Sequence, residues 1–285
     1  KAKKIVVKIG SNTLAKADGK INIDFMKKTL INKIPFNLPP ELERFVAGAK
    51  IFDSSCSPEA RVCFIDRDGG YYLKNAAKDS LEREASMTKY FHSLGLGVEV
   101  VDYRTYGDCD LLLTASAGGE DCVATKYLTD PKRLCDVLAT ALRALHETDF
   151  SACPVKDRTA EYIATVEKNF ASGNYDTSHF PDSFGYATAE DAWRVFSEGK
   201  ALLRTDTLIH GDYCLPNVML DDWKFSSFID LGNGGVADRH IDIFWGLWTL
   251  WFNLKTEAYY TRFLDAYGRD RVDLDTLRTV AAAEV

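Results

Sequence analysis

Between Lys50 and Lys74 apolar and polar residues alternate, with Ile51, Phe52, Val62, Phe64, Tyr72 and Leu73 recurring around breaks at Ser54-Ser55 and Asp68-Gly69-Gly70. A period of two with turn residues at the breaks predicts strands joined by tight turns. After Lys74 the period lengthens, and Leu81, Ala85, Thr88 and Phe91 fall on a helical repeat that stops near Gly95-Leu96-Gly97. The runs Val98 to Tyr103 and Asp110 to Thr114, split at Gly107-Asp108, predict another hairpin. The first part of the chain thus reads as a small antiparallel sheet with one helix.

Beyond Gly118-Gly119 the pattern is helical. Leu134, Val137, Leu138, Ala141, Leu142 and Leu145 keep one apolar face, as do Tyr162, Val166 and Phe170. Two short strand-like exceptions, Leu208 to His210 and Phe225 to Ile229, flank the polar segment Gly211 to Asn217, and function is expected there. Trp245, Trp248 and Trp251 recur at helical spacing, which points to core packing ahead of a sugar-stacking platform. Their apolar run, Ile243 to Leu254, falls short of the ~20 residues of a membrane span, so no membrane partner is expected.

With 285 residues, 46% hydrophobic and 12% aromatic, the chain can bury a sizeable core in one large domain or two lobes. Its seven cysteines are odd in number and dispersed, which argues against a disulfide framework or a zinc site. Reduced thiols and the lack of a secretory pattern make cytoplasm the expected compartment. His146 and His240 lack the paired spacing of metal ligands. The net charge of −7 is uneven: about +3 up to Leu113 and about −10 from Thr114 onward. An acidic second half disfavours nucleic acid and favours a cationic substrate, although a solvated surface accounts for the same excess.

The stretch His210-Gly211-Asp212-Tyr213-Cys214-Leu215-Pro216-Asn217 puts a carboxylate and an amide five positions apart in a turn after a strand, and Phe228-Ile229-Asp230-Leu231-Gly232 follows at the next strand end. Phosphoryl transfer needs this donor set. One carboxylate orients and deprotonates the attacking hydroxyl, while a second carboxylate and a neutral oxygen hold magnesium against nucleotide phosphates. Asp212, Asp230 and Asn217 suit those three roles.

HGDYCLPNVML, from His210, together with FIDLGNGGVADRHIDI, from Phe228, closely resembles the aminoglycoside 3′-phosphotransferases, and the likeness runs from about Phe45 to Val285. The resemblance implies an α+β, bilobal, protein-kinase-like fold. The small antiparallel-sheet lobe with one helix would span residues 26–113, a linker 114–119, and a larger, mainly helical lobe 120–285. It further implies Asp212 as general base, Asn217 and Asp230 as Mg2+ ligands, and His210 and Asp242 as braces of the catalytic loop. Lys74, ending the Tyr71-Tyr72-Leu73-Lys74 strand, would contact the α and β phosphates of ATP or GTP, with Glu84 orienting it through an ion pair.

The glycine-free segment Ser54-Ser55-Cys56-Ser57-Pro58-Glu59-Ala60 stands where protein kinases carry their glycine-rich loop. The family is similar in using a serine-rich version, with Ser57 the candidate phosphate contact, while an ordinary hairpin turn is the competing reading. Leu111 to Gly118 resembles the inter-lobe linker, whose backbone at Ala115 and Ala117 would pair with the purine edge.

Family substrates are cationic aminosugars. Asp176 and Asp182, in the polar stretch Asn174 to Asp182, and Glu284 near the carboxy terminus are the substrate-contact candidates, although a solvated loop describes the first two equally well. Three departures from the family bear on the substrate: only Glu284 remains of its acidic carboxy-terminal pair, Asn233 replaces an arginine, and so does Trp248.

The expected activity is transfer of the γ-phosphate of ATP or GTP to an aminoglycoside hydroxyl, the 3′ one of a kanamycin or neomycin type, by a monomer or weak dimer. A kinase of another small alcohol (choline, macrolide or homoserine type) and a non-catalytic nucleotide-binding module are the alternatives. Residues 1–25 stand apart. Ile5 to Ile9 followed by Gly10-Ser11-Asn12-Thr13 resembles the first strand and phosphate turn of glutamate 5-kinase-type enzymes, which suggests an extension or fusion remnant ahead of Met26 whose deletion should leave activity intact.

Overall fold

A computed structural model of the protein describes residues 29–56, 58–175, 186 and 188–284. The segment 1–25, Ser57, Asp176 and Asp182 lie outside the described residues. The described chain falls into two compact units, one of residues 29–119 with Ser226–Asn233 and one of Glu120–Phe225 with residues 234–284.

The first unit is built on six strands. In chain order its elements are β1 (Thr29–Ile31), α1 (Pro40–Val46), β2 (Lys50–Asp53), β3 (Ala60–Asp66), β4 (Tyr71–Ala77), α2 (Glu82–Ser93), β5 (Val100–Tyr106) and β6 (Cys109–Ala115). The sheet order is β1-β2-β3-β4-β6-β5, antiparallel throughout. Alternation in β6 explains its leucine run: Leu111 and Leu113 pack with Leu42, Ile65 and Leu73 on one face, and Leu112 packs with Leu81 and Ala85 on the other. A sheet covered on both faces needs a continuous apolar strand.

Lys74 follows Leu73 and lies opposite Leu112, so the same alternation turns it to the face that α2 covers. The sequence reading counts one helix in this unit. The structure adds the short α1, begun by Pro40 and burying only Leu42, which is too brief to print a helical period.

The second unit is mainly helical. Its elements are β7 (Glu120–Asp121), α3 (Thr125–Leu128), α4 (Pro131–His146), α5 (Arg158–Ser172), α6 (Ala189–Gly199), β8 (Thr207–Ile209), β9 (Val218–Asp221), the start of β10 (Lys224–Phe228), whose residues from Ser226 count with the first unit, β11 (Gly235–Ala237), α7 (His240–Leu254), α8 (Tyr260–Tyr267) and α9 (Leu274–Ala283). Carboxylates cap several starts: Asp130 accepts from Arg133 N, Asp157 from Ala160 N and Asp273 from Thr276 N.

Antiparallel pairing of β11 with β8 fixes the strand that delivers His210. Helix α7 is buried along most of its length, Trp245 and Trp248 included, as core packing requires. Among the described residues no helix is long and apolar enough to cross a membrane.

Candidate active site

In the sheet unit the Lys74 ammonium bridges two carboxylates, donating to Glu84 Oε2 at 2.7 Å and to Asp230 Oδ1 at 3.1 Å. Burial opposes the charge on Lys74, but the two carboxylates outweigh it and hold the ammonium above its ordinary value. Burial pushes the Glu84 carboxyl up against the pull of Lys74. Asp230 adopts a left-handed backbone, φ 59°, an uncommon conformation for a residue with a side chain and one found often at functional sites. Beside this cluster the Ser54-Ser55 turn is tied to β3 by Ser54 N–H donating to Val62 O at 2.8 Å and by Val62 N–H donating to Ser55 Oγ at 3.0 Å.

In the helical unit the 210–217 turn is buried: His210, Asp212 and Asn217 are 0%, 5% and 8% exposed. Asn217 Nδ2 donates to the Asp212 carbonyl at 3.0 Å and to Asp212 Oδ2 at 3.1 Å. This orientation fixes one carboxylate oxygen and turns the Asn217 carbonyl oxygen away from it. Leu215 N–H is anchored on Thr249 Oγ1 of α7 and the Tyr213 hydroxyl on the Leu138 carbonyl of α4, so the turn hangs from two helices. Burial holds the neighbouring Cys214 thiol well above its ordinary value, with Asp212 adding to the push, and so keeps it protonated.

Asp242 lies under this turn with no exposed surface. Its two oxygens accept the backbone N–H groups of His210 and Gly211, each at 2.7 Å, and His146 Nε2 approaches Oδ2 at 3.2 Å. His210 Nδ1 accepts the Asp212 N–H at 3.2 Å. Gly211 itself has φ +82°, a conformation a side chain would strain. The sequence reading names Asp242 and His210 as braces but weighs His146 only as a metal ligand; its contact with Asp242 spans 96 residues. The one available sign was a histidine on the apolar stripe of α4, since a buried polar group demands a partner.

Glu284, just past α9, receives the Tyr162 hydroxyl at 2.8 Å and the Trp245 indole. Burial pushes its carboxyl up to about 7; the nearby Asp212 carboxylate adds to the push, and the two donors oppose it. Asp212 and Glu284 therefore share one acidic neighbourhood. Trp245, read from sequence as core, is buried and also serves a carboxylate.

Ala115 closes β6 with its N–H donated to the Glu99 carbonyl at 2.9 Å, so that N–H is spent within the sheet unit; Ala117 follows the strand. Ser57, Asp176 and Asp182 belong to the segments not described.

Each cluster offers hard oxygen donors, the Asp230 carboxylate in the sheet unit and the Asp212 carboxylate and Asn217 amide oxygen in the helical unit. Donors of this kind suit a divalent cation of the magnesium kind better than a thiolate or imidazole metal. A buried, oriented carboxylate can position a hydroxyl, and an ammonium pinned by a helix carboxylate can meet an anion.

A model of the phosphotransferase enzyme family matches residues 54–279. Over 260 residues the chain is 50% identical to a probable aminoglycoside 3′-phosphotransferase of Lactococcus lactis subsp. lactis, covering 91% of this chain and 98% of that one. The solved structure of an aminoglycoside-3′-phosphotransferase of type VIII matches with a TM-score of 0.62 at 25% identity, covering 78% of this chain and 87% of the other. The aminoglycoside phosphotransferase of Streptomyces rimosus, solved with ADP and streptomycin, matches with a TM-score of 0.62 at 21% identity, covering 86% and 99%. The fold is α+β and protein-kinase-like. By its sequence, this chain belongs to the phosphotransferase enzyme family, together with the aminoglycoside 3′-phosphotransferases.

Proposed function

We propose that the protein moves the γ-phosphoryl group of ATP or GTP to the 3′-hydroxyl of a kanamycin- or neomycin-type aminoglycoside, with drug resistance as the outcome. The observation that carries the reading is the Asp212–Asn217 contact in one buried turn of a chain 50% identical to nearly the whole of a relative named for that reaction. The Streptomyces rimosus relative bound to ADP and streptomycin is in keeping with it.

In this reading Asp212 accepts a hydrogen bond from the substrate hydroxyl and takes its proton as the bond to phosphorus forms. Asn217 holds Asp212 Oδ2, so the carboxylate is aimed rather than searching. Asn217 and Asp230 would hold Mg2+, which when bound supplies positive charge against the phosphate oxygens. Lys74, kept charged by its carboxylate partners, meets the nucleotide phosphates, with Glu84 fixing its direction. Ser57 and the backbone of Ala117 complete the nucleotide contacts. Glu284, with Asp176 and Asp182, receives the ammonium groups of the substrate.

Coupled nucleotide turnover over a panel of aminoglycosides, choline, a macrolide and homoserine tests the reading, with NMR of the product to fix the hydroxyl. Turnover confined to aminoglycosides and a 3′-phosphate are expected. Silence with every aminoglycoside would refute it.

A further inference from the structure

Asp242 is a carboxylate with no exposed surface, and the turn it holds carries Asp212. A buried charge of this kind is retained only where donors and a counter-charge compensate it. Two of its donors are the peptide N–H groups of the turn itself. The third is His146, which is 5% exposed at the end of α4 and whose side chain is fully enclosed.

The hydrogen bonds around His146 fix its tautomer. Nε2 faces Asp242 Oδ2 at 3.2 Å, so it carries the hydrogen and donates it. Nδ1 then accepts, and the Tyr267 hydroxyl sits 2.8 Å away as its donor. Burial pulls His146 below its ordinary value against the attraction of Asp242, in keeping with a neutral ring. A cation, Arg143, lies 5.7 Å from the centre of the Tyr267 ring. A continuous chain of hydrogen bonds therefore runs from Tyr267 through His146 to Asp242, and on to two peptide N–H groups of the turn that carries Asp212.

We infer that His146 and Tyr267 are positioning residues for the phosphoryl-transfer base: Tyr267 orients His146, His146 holds the Asp242 carboxylate, and together they keep the Asp212 turn in register. Hydrogen bonds in such a chain polarise one another. Neither residue touches the reacting groups, so their loss lowers the rate of the chemical step while leaving nucleotide and aminoglycoside binding as they are.

The inference rests on Asp212 being the base, and the test separates the two claims. Steady-state kinetics and amide hydrogen exchange at Gly211 and Asp212 are measured for Tyr267→Phe, His146→Gln and His146→Leu, beside Asp212→Asn. Tyr267→Phe removes the donor to His146 Nδ1, His146→Gln keeps a donor toward Asp242, and His146→Leu removes both hydrogen bonds.

The expected order of kcat is wild type, then the Phe and Gln variants lower by roughly threefold to tenfold, then Leu lower by roughly tenfold to a hundredfold. KM values for both substrates should stay level, and exchange at Gly211 and Asp212 should quicken in the same order. If the Leu variant does not fold, the Phe and Gln variants carry the same comparison. Wild-type kcat and unchanged exchange in these variants, or a loss seen only in KM, would overturn the inference. Should Asp212→Asn keep full turnover, the base assignment fails, and the exchange pattern still decides whether His146 braces the turn.

Discussion

In the sheet unit, Glu84 and Asp230 are held by one long side chain, the Lys74 ammonium at 2.7 and 3.1 Å. In the helical unit, Asp242 is held by two peptide N–H groups at 2.7 Å, and Asp212 by the Asn217 amide at 3.1 Å. The first arrangement has four rotatable bonds behind its cation and can be rearranged by an arriving anion. The second is built from backbone and has nowhere to move without unmaking the turn. On the proposed function, charge that must exchange partners during a cycle sits on the flexible cluster, and charge that must stay aimed sits on the rigid one.

Removing the aimed carboxylate gives the largest expected effect. Asp212→Ala should lower kcat by about a thousandfold or more while nucleotide affinity, measured by equilibrium binding, stays similar. Full turnover in that variant would erase the distinction between the two clusters.

Asp242→Asn attacks the rigid cluster at its anchor. An amide can accept from one peptide N–H but presents its own N–H to another donor, leaving a buried group unmatched. A loss of about 3 kcal/mol in urea unfolding is expected, together with lower kcat. A variant that lost activity without losing stability would show that the anchor is not structural.

Lys74→Met probes the flexible cluster. It should raise the nucleotide KM by roughly tenfold to a hundredfold and leave the unfolding free energy within about 1 kcal/mol of wild type, because Glu84 can take up a proton when its cation goes. A collapse of stability instead would mean that Lys74, like Asp242, is built into the fold.

The two clusters also differ in how far the sequence discloses them. Asp212, Asn217 and Asp230 lie beside strands inside short contiguous motifs, so alternation and spacing are enough to find them. Lys74 is read through the family resemblance as ending its strand, whereas it sits midway along β4, which runs on to Ala77. The antiparallel sheet, α2 and α4 are legible for the same reason, each having a period sustained over several residues.

His146, Tyr267 and Tyr162 stayed hidden because their partners are 96 to 122 residues distant, and no local pattern encodes such a contact. Trp245 was legible as core but not as a donor to Glu284, since periodicity reports which face is buried and not what a ring nitrogen meets there. The three-residue strands β1, β8 and β11 and the seven-residue α1 offer too few positions to show a period. Of these, only β8 drew notice, through its place before the polar turn.

Glu284 sharpens the comparison from a third position, because it belongs to the helical unit yet is held by side chains, Tyr162 and Trp245. Its carboxyl is raised from the model-peptide value of 4.5 to about 7, so the folded protein binds a proton there more tightly than the unfolded chain. Stability from this residue is therefore fully present below about pH 4.5 and is lost as the pH rises through about 7. Binding of a cationic substrate runs the other way, since ionisation of Glu284 above about 7 adds the charge that an ammonium seeks. Glu284→Gln should remove both trends. Relative to wild type it should gain roughly 2 kcal/mol in stability between pH 5 and pH 8, a change of several degrees in melting temperature. The fall in aminoglycoside KM that wild type shows across the same interval should flatten. A wild-type protein whose stability rises relative to the Gln variant over this range would place Glu284 in the rigid class as an ionised carboxylate, and would remove it from the groups that change state with the substrate.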